Sequence, residues 1–166
     1  MSDVARRVAA VVVDFHAGAA LAGCVDSIRL EGVEDIVVVE NGQRGSAGEV
    51  LHGRGVTLVE PGVNLGYGRG ANRGVACVVD HEYVLITNPD VVVHHGALAA
   101  MVAALDADAR VALVGPQVRR PDGSVYPSQR VFPATRSHKS SASRLPSSTA
   151  IWRSCRSRAW RRHTSR

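Results

Sequence analysis

The segment Gly66-Tyr67-Gly68-Arg69-Gly70-Ala71 has the most informative spacing of chemically useful residues in the chain. It matches the G-x-G-x-x-G/A fingerprint, in which backbone N–H groups at a helix start hold a pyrophosphate. That fingerprint is expected directly after a strand, usually the first, whereas here Pro61–Leu65 intervene after the third predicted strand. The spacing indicates phosphate binding, and it leaves open a dinucleotide-binding Rossmann domain and a purely structural glycine-rich turn.

Polar residues follow three other apolar runs. Asp14-Phe15-His16 ends the first run, Glu40-Asn41-Gly42 ends the second, and Asn88-Pro89-Asp90 ends the fourth. Ligands of parallel α/β sheets bind beyond the carboxyl ends of the strands. We therefore expect these segments and the glycine-rich segment to meet in one site.

The elements that must position these segments alternate along the chain. Short β-branched runs predict buried strands, and apolar residues at helical spacing predict helices. This alternation predicts an α/β fold, with a mostly parallel sheet and helices on both faces. The predicted strands are Val8–Asp14, Asp35–Glu40, Val56–Glu60, Tyr83–Thr87 and Val111–Val114, and the predicted helices are Ala20–Leu30, Ala47–Leu51, Arg69–Val79 and Gly96–Leu105.

Composition excludes two classes of protein and divides the chain. Of the 166 residues, 45% are hydrophobic and 21% charged, which excludes wholesale disorder. No apolar run approaches the ~18 residues of a transmembrane helix. Residues 1–133 hold all 15 acidic residues and 11 arginines, a net charge of −4, whereas residues 134–166 carry +9. The overall charge of +5 therefore does not indicate a specific nucleic-acid partner.

We accordingly predict two parts, a globular domain of residues 1–133 and a basic, Ser/Arg-rich tail of residues 134–166. The tail contains nine serines and no Gly, Val or acidic residue, and its apolar residues show no periodicity. This composition predicts disorder. Three interpretations remain open: a basic arm that binds nucleic acid or anionic lipid, an altered or out-of-frame end, and a solvated linker.

Three motifs together resemble a known family. They are Val37-Val38-Val39-Glu40-Asn41-Gly42, then Asn64-Leu65-Gly66-Tyr67-Gly68 running to Ala71-Asn72-Arg73-Gly74, then Leu85-Ile86-Thr87-Asn88-Pro89-Asp90-Val91. In this order and spacing they resemble the inverting family 2 glycosyltransferases of the GT-A fold. The similarity is greatest to the rhamnosyltransferases of cell-surface polysaccharide synthesis. It covers about residues 5–133.

The resemblance implies a site for a nucleotide-sugar donor. Glu40 is implied to accept the pyrimidine N3–H, the glycines to admit the diphosphate, and Asn72 to fix the loop on the sheet. Asp90 is implied to bind Mg²⁺ or Mn²⁺, for which hard oxygen ligands are suited. The implied nucleotide-binding residues are Val13, Asp14, Glu40, Asn41, Gly66, Gly68, Arg69 and Asn72.

The resemblance also implies a donor, an acceptor and a general base, and no residue can be identified as the base. The donor would be a dTDP- or UDP-sugar, and the acceptor lipid-linked or a polysaccharide, met in the cytoplasm or at the inner membrane face. Inverting transfer needs a general base after the fifth strand, yet no Asp or Glu follows Asp122. We therefore expect an incomplete GT-A domain that lacks its acceptor half and is inactive alone, with no catalytic residue identified. The alternative is a non-catalytic nucleotide-binding module.

Overall fold

Helices and strands alternate through the first two thirds of the chain. The computed structural model describes residues 3–42, 44–127, 130–131, 144–145 and 150–153. The helices are α1 (Asp3–Arg7), α2 (Ala19–Leu30), α3 (Ser46–Val50), α4 (Tyr67–Val75) and α5 (Ala97–Ala107). The strands are β1 (Val8–Asp14), β2 (Ile36–Glu40), β3 (Thr57–Val59), β4 (Tyr83–Thr87), β5 (Leu113–Val114), β6 (Arg130–Val131), β7 (Arg144–Leu145) and β8 (Ala150–Arg153).

The main sheet has the strand order β3-β2-β1-β4-β8-β5. Strand β1 pairs in parallel with β2 and β4, and β2 pairs in parallel with β3. Strand β8 is antiparallel to both of its neighbours, β4 and β5. The predicted mostly parallel α/β sheet is therefore confirmed.

Side chains of β1 alternate between two hydrophobic clusters, because successive residues of a strand point to opposite faces. Val8, Ala10 and Val12 join α2, α3 and α5 on one face, whereas Val11 and Val13 pack beneath α4 on the other. All seven residues of β1 are buried, as expected for a strand covered on both sides. Helices thus cover both faces of the sheet, as predicted.

Helix α4 begins and ends earlier than the predicted range 69–79. It starts after Gly66, whose φ of 75° belongs to the left-handed region that favours glycine. At its end, the N–H groups of Cys77 and Val78 bond to carbonyls three residues back, so the last turn tightens. Val79, the last residue of the predicted range, lies beyond the helix and is exposed. Among the described residues, no helix has the length and apolarity needed to cross a membrane.

Part of the predicted tail belongs to the sheets. Strand β8 lies between β4 and β5, and Ile151 is completely buried opposite Leu85. A second, two-stranded sheet pairs β6 with β7. Residues 144–145 and 150–153 of the predicted tail are thus placed in strands, and β8 pairs with an edge of β4 that would otherwise be open. Disorder of the tail as a whole stays a prediction. The rest of the tail lies outside the described residues, and the boundary at residue 133 stays a prediction.

Candidate functional site

The carboxyl ends of β1 and β2 bring three polar side chains of the predicted site together. Asp14 and Glu40 are register partners in neighbouring strands, and each is only 2% exposed. The N–H of Asn41 donates to the carbonyl oxygen of Asp14 at 2.8 Å, and Asn41 is also buried. Two carboxylates and one amide therefore end at the sheet edge where parallel α/β folds bind ligands.

The carboxylate of Glu40 is held by the start of α3. Its Oε1 accepts the Ser46 hydroxyl at 2.5 Å and the Ala47 N–H at 3.1 Å, and its Oε2 accepts the Gly45 N–H at 3.0 Å. Burial alone would raise the pKa of Glu40, but these hydrogen bonds outweigh it and lower the pKa. Glu40 is thus ionised and accepts hydrogen bonds from N–H groups at a helix start, where such groups have no partner within the helix.

The carboxylate of Asp14 has fewer donors. Its Oδ1 accepts the N–H of Ala17 at 3.2 Å. Burial raises the pKa of Asp14, and the nearby negative charge of Glu40 adds to the rise, against the opposing effects of the Ala17 N–H and of His16. Asp14 consequently retains more capacity than Glu40 to accept a hydrogen bond from a ligand.

Asn41 ties the glycine-rich loop to the sheet. Its Oδ1 accepts the N–H of Leu65 at 2.8 Å, directly before the segment with the fingerprint spacing. The resemblance had implied this role for Asn72, but Asn72 is exposed on α4. Asn41 was expected to bind nucleotide, and the structure shows that it also anchors the loop. The signal in the sequence was its position directly after a buried strand.

Gly66 and Gly68 lie at the open amino-terminal end of α4. The Gly66 N–H donates to Asn64 Oδ1 at 2.8 Å, and no atom lies within 4 Å of a Cβ built on either glycine. The first N–H groups of a helix have no partner within the helix and attract anions. The backbone here is accessible to a diphosphate, and the exposed Arg69 follows in the same turn.

Gly70 and Gly74 have a different function, because they let α4 pack closely on the sheet. A Cβ on Gly70 would lie 3.0 Å from Val13 Cγ1, and one on Gly74 would lie 2.4 Å from Val11 Cγ1. Both glycines are buried on one side of the helix, four residues apart. The Val13 side chain thus packs beneath the first half of α4.

Asp90 follows β4 on a loop that is held by hydrogen bonds to side chains in and just after α2. Ser27 Oγ accepts the Val93 N–H at 3.0 Å, and Glu31, just after α2, accepts the Gly96 N–H at 2.9 Å. Asp90 itself is exposed. Burial raises the pKa of the Cys24 thiol to about 12, and the negative charge of Asp90 adds to the rise. In the described parts of the chain, no three His, Cys, Asp or Glu residues form a group able to hold a metal.

Two aromatic residues without an assigned role lie beside Asp14. Phe15 is exposed, and its ring packs edge-on against His16 with centroids 4.5 Å apart. His16 has a φ of 57°, which is uncommon for a residue other than glycine. A Cβ on Gly42 would lie 3.1 Å from the His16 ring, so Gly42 makes room for that ring. Unusual backbone at this edge is the feature that sequence patterns did not predict.

Comparisons with known proteins identify the family of this chain. The sequence model of the family described as "Glycosyl transferase family 2" matches residues 10–160, a range that passes the predicted boundary at residue 133. In an alignment of 120 residues that covers 65% of this chain, the chain is 32% identical to the N-acetylglucosaminyl-diphospho-decaprenol L-rhamnosyltransferase of Mycobacterium tuberculosis, in two strains. The chain spans 39% of the length of these relatives.

Solved structures show the same fold. A mannosyltransferase of Pyrobaculum calidifontis, in complex with GDP-Man and Mn²⁺, superposes with a TM-score of 0.58 and is 26% identical in sequence. The match covers 70% of this chain and 36% of the mannosyltransferase chain. TarS of S. aureus, residues 1–349, superposes with a TM-score of 0.63 at 16% identity, and the match covers 89% of this chain and 47% of the TarS chain. The match of the family model over most of the chain, on a fold shared with these enzymes, shows that the chain belongs to glycosyl transferase family 2.

Proposed function

We propose that this chain binds the nucleoside diphosphate of a nucleotide-sugar donor and serves an inverting glycosyl transfer to a lipid-linked or polysaccharide acceptor of the cell surface. The observation that carries the proposal is the hydrogen bond from Leu65 to Asn41, which fixes the open glycines beside the buried carboxylates of the sheet edge. The 32% identity to a rhamnosyltransferase supports a dTDP- or UDP-linked sugar as donor.

Within this site, Asp14 is the better acceptor for the N3–H of a pyrimidine base. Glu40 already receives three hydrogen bonds from α3 and the residue before it, whereas one N–H reaches Asp14. Glu40 would then shape the base pocket rather than contact the base through a free oxygen. The backbone N–H groups around Gly68 and the charge of Arg69 would bind the diphosphate.

Asp90 would hold Mg²⁺ or Mn²⁺ in this site. Its carboxylate is a hard oxygen donor of the kind that both ions prefer. Because no cluster of three ligating side chains occurs in the described residues, the diphosphate and water would supply the other ligands. When bound, the cation would offset the negative charge of the leaving diphosphate.

Calorimetry with dTDP and UDP, in Mn²⁺ and in EDTA, tests the proposal. We expect weak binding that needs the cation, loss of that dependence in Asp90→Asn, and at least about tenfold weaker binding in Asp14→Asn. Asp80→Asn is the matched control, since Asp80 is exposed, precedes β4 at the opposite sheet edge, and has a φ that Asn tolerates. Cation-dependent binding of equal strength in Asp90→Asn would contradict the metal site.

The second candidate is a nucleotide-binding module without transfer activity. It is favoured because none of the acidic residues after β4 that are described next is suited to act as the general base. Asp106 contacts Arg7 and Tyr83, far from the site edge, and Asp108 pairs with Arg110 at 2.8 Å. The pKa of Asp122 is lowered by the Ser124 side chain and N–H, which makes it a weak base. On this second candidate, the chain would transfer no detectable sugar from dTDP-rhamnose or UDP-sugars to lipid-linked acceptors, and robust turnover would exclude it.

A further inference from the structure

A β-hairpin of residues 118–126 leaves the sheet on the side of the candidate site. Because β8 is antiparallel to both β4 and β5, the latter two strands end at the same edge. The hairpin follows β5 by a few residues and turns at Pro121-Asp122-Gly123. The Arg120 N–H donates to the Ser124 carbonyl oxygen at 2.9 Å, and the Tyr126 N–H donates to the Val118 carbonyl oxygen at 2.8 Å.

Both faces of this hairpin are exposed. Arg119 lies opposite Val125 on one face, and Val125 is 51% exposed. On the other face, the Arg120 guanidinium lies 5.2 Å from the ring centre of Tyr126, which is 41% exposed. No described carboxylate lies within ion-pair distance of either arginine. Each face therefore presents one guanidinium beside one uncovered apolar side chain.

This combination fits the interfacial zone of a membrane. Lipid surrounds an inserted hairpin and offers phosphates next to acyl chains on both of its faces. Arginine places its apolar stem in such a zone with its charge at the phosphates, and tyrosine is enriched there. The acidic residue of the hairpin, Asp122, accepts the Ser124 N–H at its tip and leaves the arginines in excess.

We propose that the hairpin of residues 118–126 docks this chain onto an anionic lipid bilayer, with Arg119 and Arg120 at phosphate headgroups and Val125 and Tyr126 among the first acyl carbons. The inference rests on the proposed function in one respect, that a lipid-linked acceptor lies at the same surface. Residues 134–166 carry nine Lys and Arg and no acid, so the sequence that follows has the charge sign that anionic lipid attracts.

Sedimentation of the full chain with phosphatidylglycerol-containing and pure phosphatidylcholine vesicles tests this docking. We expect binding only to the anionic vesicles, weakened by salt. Each arginine near an anionic surface contributes roughly fivefold, so Arg119→Glu with Arg120→Glu should weaken binding about 25-fold or more. Val125→Ser with Tyr126→Ser should weaken it severalfold and leave the salt dependence in place. Arg6→Glu with Arg44→Glu is the charge-matched control at two other exposed arginines, and it should change binding less than about threefold.

Trypsin locates the contact. Cleavage after Arg119 should slow on anionic vesicles, whereas cleavage after Arg44 should not. Three results would each overturn the proposal. They are an equal loss of vesicle binding in the control pair, vesicle binding that survives charge reversal in the hairpin, and unchanged cleavage after Arg119. Single-stranded RNA that competes at equal phosphate concentration would instead identify a nucleic-acid surface.

The same variants separate this proposal from the proposed function. Arg119→Glu with Arg120→Glu should bind dTDP and Mn²⁺ like the unmodified chain, because the hairpin contributes nothing to the nucleotide site described above. Vesicle binding without nucleotide binding would refute the proposed function and leave the docking surface intact. Nucleotide binding without vesicle binding would refute the docking surface and leave the proposed function intact.

Discussion

Asn41 and Leu65, 24 positions apart in sequence, are joined by a 2.8 Å hydrogen bond from the Leu65 N–H to the Asn41 side chain. The bond connects the end of β2 to the loop before α4, and so connects the two halves of the candidate site. Asn41 is buried, so its oxygen has little access to water that could replace the Leu65 donor. This amide therefore helps to hold the glycine-rich loop in position.

Asn41→Ala should destabilise the fold and weaken nucleotide binding together. Loss of the acceptor leaves the Leu65 N–H without its partner, which costs about 1–3 kcal/mol, and a loosened loop should lower dTDP affinity at least about tenfold. Urea unfolding and calorimetry measure the two effects. Asn72→Ala, on the exposed side of α4, should leave stability within about 0.5 kcal/mol. A larger loss of stability in Asn72→Ala than in Asn41→Ala would show that Asn72 anchors the loop after all.

Glu40→Gln should destabilise the chain in a pH-dependent way. Hydrogen bonds lower the pKa of folded Glu40 below its ordinary value of 4.5, so its ionised form stabilises the fold above that value. This stabilisation is lost as the pH falls through the lower pKa of the folded state. We expect a difference of about 1–3 kcal/mol from the unmodified chain at pH 7, shrinking below about pH 5.

Urea unfolding between pH 3 and pH 7 measures this difference. Glu49→Gln removes the same charge from an exposed position of α3, the helix whose start bonds to Glu40, and should show almost no difference at any of these pH values. A Glu40→Gln difference that is constant over the whole range would mean that the ionisation of Glu40 is not involved.

Gly74→Ala and Gly68→Ala should have opposite effects on stability. A Cβ at Gly74 would lie 2.4 Å from Val11 Cγ1 inside the core, and overpacking of this kind costs about 1–3 kcal/mol. A Cβ at Gly68 meets no atom within 4 Å, and Ala in a helix gains up to about 1 kcal/mol over Gly. Thermal unfolding should rank Gly68→Ala highest, and Val11→Ala should partly restore Gly74→Ala. Calorimetry should nevertheless show weaker diphosphate binding by Gly68→Ala if the loop receives phosphates.

Ile151→Ala should destabilise the sheet although it lies in the basic C-terminal region. Ile151 is fully buried between β4 and β5, and truncation of such a residue costs about 2–5 kcal/mol. Val125→Ala, at an exposed valine, should change stability by less than about 0.5 kcal/mol. Equal unfolding midpoints for these two variants would show that β8 contributes nothing to the folded core.

The sequence by itself determined the fold class and indicated the sheet edge of the candidate site. Each buried strand appears as a short β-branched run, and polar residues follow these runs because parallel strands end at one edge. Asp14, Glu40 and Asn41 could be selected on this ground alone. Periodicity also determined which side of α2 is buried, at Leu21, Cys24, Val25 and Ile28.

Tertiary structure decided what each of these residues contacts. Glu40 and Asp14 are both carboxylates at strand ends, and only the fold shows that α3 begins against Glu40 and takes its hydrogen bonds. Gly68 and Gly74 are alike in sequence, yet one lies open and the other against Val11. Strand β8 is too short to show a period, and it is a strand because β4 and β5 provide unpaired hydrogen-bonding edges on either side. Long-range hydrogen bonds and close packing depend on which segments meet in space, and local sequence patterns carry no record of that.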